Sequence, residues 1–164
     1  DGLLQTNSSI VNGAYNLLDN LLNWALLQTK QSYFEIEPMR LYAIVEQVAY
    51  NYKPLMLDKV ISFENNVLKS SQVNADQESL KIILRNLLDN AIKFSKPNGF
   101  IKVYTLDNNK AYYDLVIEDS GVGIDAVTIQ DLLKESALLP KKGSEKGKGT
   151  GLGLQLCKSM IKKN

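Results

Sequence analysis

Three polar side chains interrupt an apolar segment, residues 80–95, at spacings that could hold a phosphate. Asn86, Asn90 and Lys93 are four and three residues apart, so a helix places them on one face. Two amides and an ammonium on one stripe suit a polar ligand such as a metal-bound phosphate. The stripe is equally compatible with the solvated face of an amphipathic helix, and this segment alone does not decide between the two interpretations.

A second candidate site is an acidic residue followed by two glycines, residues 119–124 (DSGVGI). Glycine lacks a Cβ and tolerates positive φ, so the backbone at Gly121 and Gly123 can approach a flat ligand closely. The carboxylate of Asp119 can accept a hydrogen bond from an exocyclic amine, and the amino group of a nucleobase is the obvious candidate. A β-turn or bulge with a capping acid is the alternative explanation.

A third candidate is a glycine-rich turn, residues 147–154 (GKGTGLGL), which leads into the last helical pattern. Free backbone amides and the positive end of the helix dipole converge at such a turn, so it suits phosphate. It is not a Walker A loop, because the closing Lys-Ser/Thr pair is missing, and it does not follow a strand as a Rossmann loop does. A flexible linker is the alternative interpretation.

Composition excludes several classes of function. The 164 residues, 45% of them hydrophobic, suffice for one packed domain and an accessory element. Lys+Arg 19 against Asp+Glu 18 leaves a net charge of +1, which gives no footprint for nucleic acid or a membrane surface. With no histidine, the chain has no Ser-His-Asp triad and no His-ligated metal. Its one cysteine, Cys157, cannot form an internal disulfide and fits a reducing, cytoplasmic environment.

Targeting and membrane segments are not recognisable in the sequence. No apolar run approaches the roughly 18 residues of a membrane span, and no signal peptide is visible. The chain begins DGLLQ and ends in a helical pattern. We therefore expect it to be a fragment of a longer protein.

Residues 8–31 predict one long bundle helix. Its apolar residues alternate at spacings of four and three, as in a helical bundle or coiled coil: Ile10, Ala14, Leu17, Leu21 and Trp24. A second apolar stripe widens this face, so the helix needs partners on two sides. A helix hairpin or a four-helix dimer would supply them, and packing onto the rest of this chain is the alternative.

The remaining residues predict an α+β fold. An alternating segment at 33–37 ends at Pro38 and predicts a short strand, with a domain boundary near 31–33. Further strands are predicted at 60–67, 73–75, 100–106 and 111–118, helices at 39–57, 80–95 and 125–135, a final helix opened by the glycine-rich stretch 147–154, and turns at 97–99 and 107–110. Asp76 is placed to cap the helix of the polar stripe. This order predicts a two-layer α/β sandwich with helices on one face of a mixed sheet.

The three motifs also occur in the order and spacing of a known family. NLLDNAIKFS at 86–95, DSGVGI at 119–124 and GKGTGLGL at 147–154 closely resemble the N, G1 and G2 boxes of sensor histidine kinases. These kinases belong to the superfamily that includes the gyrase B subunit, Hsp90 and MutL. The helix at 8–31 resembles the second helix of the family's dimerisation and phosphotransfer hairpin. We therefore expect domains at 1–31 and 32–164.

The resemblance implies ATP and Mg²⁺ as ligands. Asn90 matches the asparagine that coordinates Mg²⁺ between the phosphates, and Lys93 matches the phosphate-contacting lysine. Asp119 matches the acid that reads the adenine amino group. The implied nucleotide-binding residues are Asn86, Asn90, Lys93, Phe94, Asp119, Gly121, Gly123, Ile124, Gly149, Thr150, Gly151, Leu152 and Gly153.

The glycine-rich turn matches the hinge of the family's ATP lid. The hinge glycines are Gly147, Gly149, Gly151 and Gly153, and the lid itself would begin near residue 136. Amides near Thr150 and Leu152 would then hold phosphate oxygens.

Asn86 distinguishes a kinase from an ATPase. In the hydrolysing relatives this position is usually a glutamate that activates water, whereas an amide has no basic oxygen to take the proton. The site should therefore hold ATP until an acceptor is brought into line. We expect Asn86 and Lys93 to be the catalytic residues.

Three departures from the family pattern stand out. The family's acceptor is a histidine on the first hairpin helix, which this chain lacks, so we expect no autophosphorylation by the chain alone. Residues 129–133 occupy the place of a box that usually contains phenylalanine, and they have none. The family's domain also continues into two more strands after the last helix, so we expect an exposed sheet edge.

The sequence thus predicts a histidine protein kinase domain that transfers the γ-phosphate of ATP to a histidine outside this chain. Expected partners are ATP, the phosphoacceptor helix of the same protein or its dimer mate, and a response-regulator receiver domain. No contact with nucleic acid or membrane is expected of this fragment, which we place in the cytoplasm, with inner-membrane anchoring open for the parent protein. The alternatives are an anti-sigma-factor-type serine kinase, which lacks a hairpin helix, and a non-catalytic scaffold, which binds no Mg·ATP.

Overall fold

The structure, a computed structural model, describes three continuous ranges and a few residues near the amino terminus. The ranges are 34–107, 112–133 and 152–164, and the amino-terminal residues are 11, 14, 15, 17–19, 21, 22 and 25. The predicted domain boundary near 31–33, most of the predicted hairpin turn and the predicted lid loop lie outside the described residues.

Five strands and four helices follow residue 34 in the described ranges. The strands are β1 (Ile36–Arg40), β2 (Ser62–Asn65), β3 (Gln72–Asp76), β4 (Phe100–Asp107) and β5 (Tyr113–Asp119). The helices are α1 (Leu41–Asp58), α2 (Gln77–Phe94), α3 (Ala126–Leu133) and α4 (Leu152–Lys163). The described residues between 11 and 25 are also helical, in agreement with the helix predicted there.

The described strands form two separate sheets. β2 is parallel to β4 and β4 is antiparallel to β5, which is the mixed sheet that the sequence predicts. β1 and β3 instead form a two-stranded antiparallel ribbon, in which Ile36 lies opposite Asp76 and Arg40 opposite Gln72. The ribbon places the end of β3 at the start of α2.

The expectation that Pro38 ends the first strand is wrong. β1 runs through Pro38, which lies opposite Asn74 of β3. Among the described strands β1 pairs on one side only, so an edge position is available for the missing N–H of proline. Tyr33, the predicted first residue of the strand, lies outside the described residues.

α1 and α2 pack together over the three-stranded sheet and form the main core. Its buried apolar residues are Leu41, Ile44, Val45, Val48, Ala49, Met56, Ile61, Val67, Leu84, Leu88, Ala91, Ile92, Ile101 and Val103. Fully burying one such side chain contributes about 1.5–3 kcal/mol. The core therefore holds α2 firmly along its length, with its polar stripe outside the core.

A smaller cluster joins α2 to α4. Ile83 of α2 is buried against Leu156, Cys157 and Met160 of α4. The Cys157 thiol is 3% exposed and lies 3.8 Å from the carbonyl oxygen of Ile83. Burial raises the pKa of this thiol to about 12, so it is neutral at physiological pH and inert as a nucleophile.

The amino-terminal helical residues touch α2 through an ion pair. The Asp19 carboxylate lies 3.6 Å from the Arg85 guanidinium, and both side chains are about 40% exposed, so the pair contributes about 0–1 kcal/mol. The apolar side chains of Val11, Tyr15 and Leu18 are exposed. The sequence allowed packing either against partner helices or against the rest of this chain. Within the described residues, the helix contacts the rest of the chain through the Asp19–Arg85 ion pair, while Val11, Tyr15 and Leu18 remain exposed.

Within the described residues, no helix combines the length and the apolarity that a membrane span requires.

Candidate functional site

A side-chain cap fixes the start of α2. Asp76 Oδ1 accepts a hydrogen bond from Ser79 N at 2.8 Å, and Ser79 Oγ donates to Asp76 O at 3.0 Å. The predicted cap is confirmed, and its negative charge suits the positive end of the helix dipole. The cap sets the helical register that places the polar stripe.

The three residues of the stripe lie at the border between the core and solvent. Asn86 and Asn90 are half-buried and Lys93 is exposed. Asn86 Nδ2 donates to Ile82 O at 2.9 Å, so the amide oxygen of Asn86 is turned away from its own helix backbone. The Lys93 ammonium lies 5.1 Å from the centre of the Phe94 ring. These positions suit a ligand that lies across the outer face of α2.

A cavity of about 230 Å³ opens beside Asn86. It is lined by Tyr15, Asp19, Asn51, Tyr52, Arg85, Asn86 and Asp89. Burial raises the pKa of the Asp89 carboxyl, and the Lys93 ammonium lowers it in part. The Tyr52 hydroxyl donates to Arg85 O at 3.2 Å, and burial raises its pKa to about 12. The cavity brings the amino-terminal helical residues next to a predicted catalytic amide.

The carboxyl end of α2 is fixed by Lys59, a residue that no sequence motif singled out. Its ammonium donates to Ile92 O at 2.7 Å and to Lys93 O at 3.1 Å. Ser95 N donates to Ala91 O at 3.0 Å. Sequence reasoning missed Lys59 because its partners lie 33 and 34 residues away, and a lysine in a turn after a helix has no distinctive pattern.

The second motif lies against this end of α2. Asp119 is the last residue of β5, one residue beyond the predicted end of the strand, and its Oδ1 accepts a hydrogen bond from Gly121 N at 2.8 Å. Gly121 forms an isolated antiparallel bridge with Ser95. A Cβ at Gly121 would lie 2.5 Å from Asp119 Oδ1 and 2.9 Å from Phe94 O. Only glycine permits this approach between the two segments.

The other predicted site residues of the second and third motifs that the structure describes are Gly123, Ile124, Leu152 and Gly153. Gly123 has φ +72, and a Cβ there would meet nothing within 4 Å, so glycine is favoured by conformation alone. Ile124 is exposed. Leu152 and Gly153 form the first turn of α4. Four predicted residues of the third motif lie outside the described residues, namely Gly147, Gly149, Thr150 and Gly151.

The structure thus joins two of the three motifs at one end of one helix. A family model described as histidine kinase-, DNA gyrase B- and HSP90-like ATPase matches residues 75–164, more than half of the chain. The chain belongs to this family. The match begins just before the cap of α2 and covers all three motifs, so this ATPase domain is an ATP-binding domain, as the resemblance implied.

A curated relative of this ATPase domain is a sensor protein. The chain is 27% identical over 148 residues to the sensor protein SrrB of Staphylococcus aureus. The matched region covers 90% of this chain and 25% of SrrB. The chain therefore spans about a quarter of the length of that relative.

Solved histidine kinases have the same fold. The Acinetobacter baumannii histidine kinase AdeS superposes with a TM-score of 0.71 at 23% identity, over 98% of this chain and 73% of that one. A mycobacterial sensor histidine kinase, MprB, superposes with a TM-score of 0.62 at 28% identity, over 79% of this chain and 80% of that one. The predicted α+β sandwich is confirmed, and the ATPase domain is of the sensor histidine kinase type.

Proposed function

We propose that residues 32–164 bind Mg·ATP as the catalytic domain of a sensor histidine kinase, and that residues 1–31 are the second helix of its dimerisation and phosphotransfer hairpin. The main support is the bridge between Ser95 and Gly121. It holds Asp119, the proposed reader of the adenine amino group, beside Lys93 and Phe94, where phosphate and base would be bound.

The side chains present suit Mg·ATP. The amide oxygen of Asn90 is a hard ligand for Mg²⁺, the Lys93 ammonium pairs with phosphate, and Gly121 lets the segment that carries Asp119 approach the end of α2. The described residues contain no cluster of three acidic or thiol side chains that could bind a metal unaided, so Mg²⁺ would arrive with the phosphates that complete its shell. Bound Mg²⁺ neutralises phosphate charge.

The first turn of α4 would close the phosphate end of the site. Leu152 and Gly153 begin this helix, and backbone amides at a helix start point toward an anion. Gly149, Thr150 and Gly151 precede them and are proposed to contribute further amides and the hinge of a lid.

Asn86 would keep the bound ATP from hydrolysis. Its amide donates to Ile82 O and has no basic oxygen that could activate water. Asn86 and Lys93 would instead position the γ-phosphate for an incoming nucleophile, since phosphoryl transfer depends mainly on positioning and charge neutralisation.

The acceptor in this proposal is a histidine outside the chain, supplied by the phosphoacceptor helix of the same protein or its dimer mate. The phosphate would pass on to the receiver domain of a response regulator in the cytoplasm. The solved complex of the histidine kinase ThkA with the response regulator protein TrrA contains a domain of this fold, with a TM-score of 0.60.

Titration with Mg²⁺ and a non-hydrolysable ATP analogue tests the proposal by isothermal calorimetry. We expect saturable, Mg²⁺-dependent binding that weakens at least about tenfold in Asn90→Asp and in Asp119→Asn. Matched controls are Asn74→Asp, on an exposed face of β3, and Glu118→Gln, next to Asp119 on β5, which should stay within about twofold of wild type. A chain that binds no analogue would favour the non-catalytic scaffold.

A further inference from the structure

Three of the last four backbone carbonyls of α2 accept hydrogen bonds from Ser95 and Lys59. A helix end leaves its last four carbonyls without partners in the helix. Here Ala91 O accepts from Ser95 N, and the ammonium of Lys59 bonds both Ile92 O and Lys93 O at 2.7 and 3.1 Å. Phe94 O lies against the backbone of Gly121. The end of α2 is thus held from one side by Lys59 and from the other by the second motif.

Lys59 is itself fixed by backbone bonds. Its N–H donates to Leu55 O at 3.3 Å, closing α1, and its carbonyl accepts from Asn98 N at 3.1 Å. The side chain is half-buried. The ammonium therefore reaches α2 from an anchored backbone, so it can set the position of the carbonyls that it bonds.

Two of these carbonyls flank the Cα atom of Lys93. An ammonium near a helix carboxyl end also offsets the partial negative charge of the exposed carbonyls, which would otherwise oppose a phosphate bound there. Bonds to Ile92 O and Lys93 O fix the peptide groups on both sides of Lys93. Its side chain therefore projects from a rigid point relative to Asp119.

We propose that Lys59 is a positioning residue for nucleotide binding. It holds the last turn of α2 so that the ammonium of Lys93 meets the triphosphate while Asp119 meets the base. The inference rests on the proposed function, in which Lys93 contacts phosphate. A lysine that served only to stabilise the fold would act independently of Lys93.

A double-mutant cycle separates these two roles by calorimetric titration with Mg²⁺ and a non-hydrolysable ATP analogue. Lys59→Met keeps an unbranched apolar side chain, shorter by one atom, and removes the side-chain donors. We expect it to weaken binding about tenfold in the wild-type background and less than about twofold in a Lys93→Ala background. Lys59→Arg keeps donors and charge and should restore most of the affinity.

Lys96→Met is the matched control, because Lys96 is an exposed lysine in the turn that follows α2. It removes the same charge near the site and should change the affinity less than about twofold. Thermal unfolding of each variant shows whether it is folded. If Lys59→Met does not fold, Lys59→Gln, which removes the charge and shortens the side chain but stays polar, takes its place in the cycle.

The possible results distinguish the role of Lys59 from the proposed nucleotide binding. An equal loss of affinity in both backgrounds, or the same loss in Lys96→Met, overturns the role of Lys59. Wild-type protein that binds no analogue, or a Lys93→Ala variant that binds as wild type does, overturns the proposed function and the role of Lys59 with it.

Discussion

The two ends of α2 are both closed by hydrogen bonds, but they present different surfaces. At the amino end, Asp76 accepts from Ser79 N and from Glu35 N, and its own N–H donates to Asn164 Oδ1 at 2.7 Å. Asn164 also donates to Ser79 Oγ. At the carboxyl end the ammonium of Lys59 donates hydrogen bonds to two backbone carbonyls, and the side chains of Lys93 and Phe94 are exposed.

The difference shows how one buried helix can serve both stability and binding. At the amino end, the side chains of Asp76 and Ser79 are engaged in hydrogen bonds with each other's backbone, with Glu35 N and with Asn164. At the carboxyl end, Lys59 and the turn that follows β5 hold the backbone, and the side chains of Lys93 and Phe94 are exposed. Changes at the two ends should therefore separate loss of affinity from loss of stability.

The largest expected effect comes from Gly121→Ala at the carboxyl end. The new Cβ would meet Phe94 O at 2.9 Å and Asp119 Oδ1 at 2.5 Å. The carboxylate can rotate away, but the backbone oxygen cannot, so β5 and α2 must separate. We expect the affinity for an ATP analogue to fall about 30-fold, or about 2 kcal/mol, by calorimetry.

Gly123→Ala is the companion variant for that test. It places a methyl group in open space at φ +72, so its cost is conformational, about 1–2 kcal/mol of strain without a clash. A loss of affinity in Gly123→Ala as large as in Gly121→Ala would contradict the importance of the contact with Phe94.

A medium effect is expected from Asp76→Ala at the amino end. The change removes the cap and leaves Ser79 N without its acceptor, so the free energy of unfolding should fall by about 1 kcal/mol. Urea denaturation measures this loss. Affinity for the ATP analogue should stay within about twofold, and a larger loss would show that the two ends are not separable. Asp76→Asn keeps an acceptor oxygen and should cost less.

The smallest expected effect is a gain in stability from Val60→Gly. Val60 has φ 55 and is 63% exposed, so a β-branched residue sits in the left-handed region at a cost of about 1–2 kcal/mol. The extra chain entropy of glycine offsets about 0.5–1 kcal/mol of this relief, so we expect a net gain of about 0.5 kcal/mol in urea denaturation. Val60→Ala keeps a Cβ and should gain less; an equal gain would argue against backbone strain at this turn.

The helices were predictable from the sequence because their causes are local. α2 has an amphipathic pattern, and its capping residue, Asp76, immediately precedes the first turn. The pairing of β1 with β3 was not predictable, because strand partners are chosen by packing over long separations. Pro38 was misjudged for the same reason: proline is excluded from the middle of a sheet, and only the tertiary structure shows that β1 is an edge.

The candidate site was predictable where its residues follow a motif. Asn86, Asn90 and Lys93 are spaced by the helix itself, and Asp119 ends a strand with a readable alternation. Lys59 was not predictable, since its bonds join the turn after α1 to the last turn of α2. Sequence reasoning finds the groups that would touch a ligand more readily than those that hold them in place.

The burial of Cys157 between α4 and α2 has an analytical use. Thiol reagents need an accessible thiolate. In the folded chain the raised pKa keeps the thiol of Cys157 protonated, and its packing against Ile83 keeps it inaccessible. Labelling of the folded chain can proceed only during openings that part the two helices. Cys157 is the only thiol in the sequence. The rate at which the chain is labelled therefore measures how often α4, the helix that follows the glycine-rich turn, separates from α2.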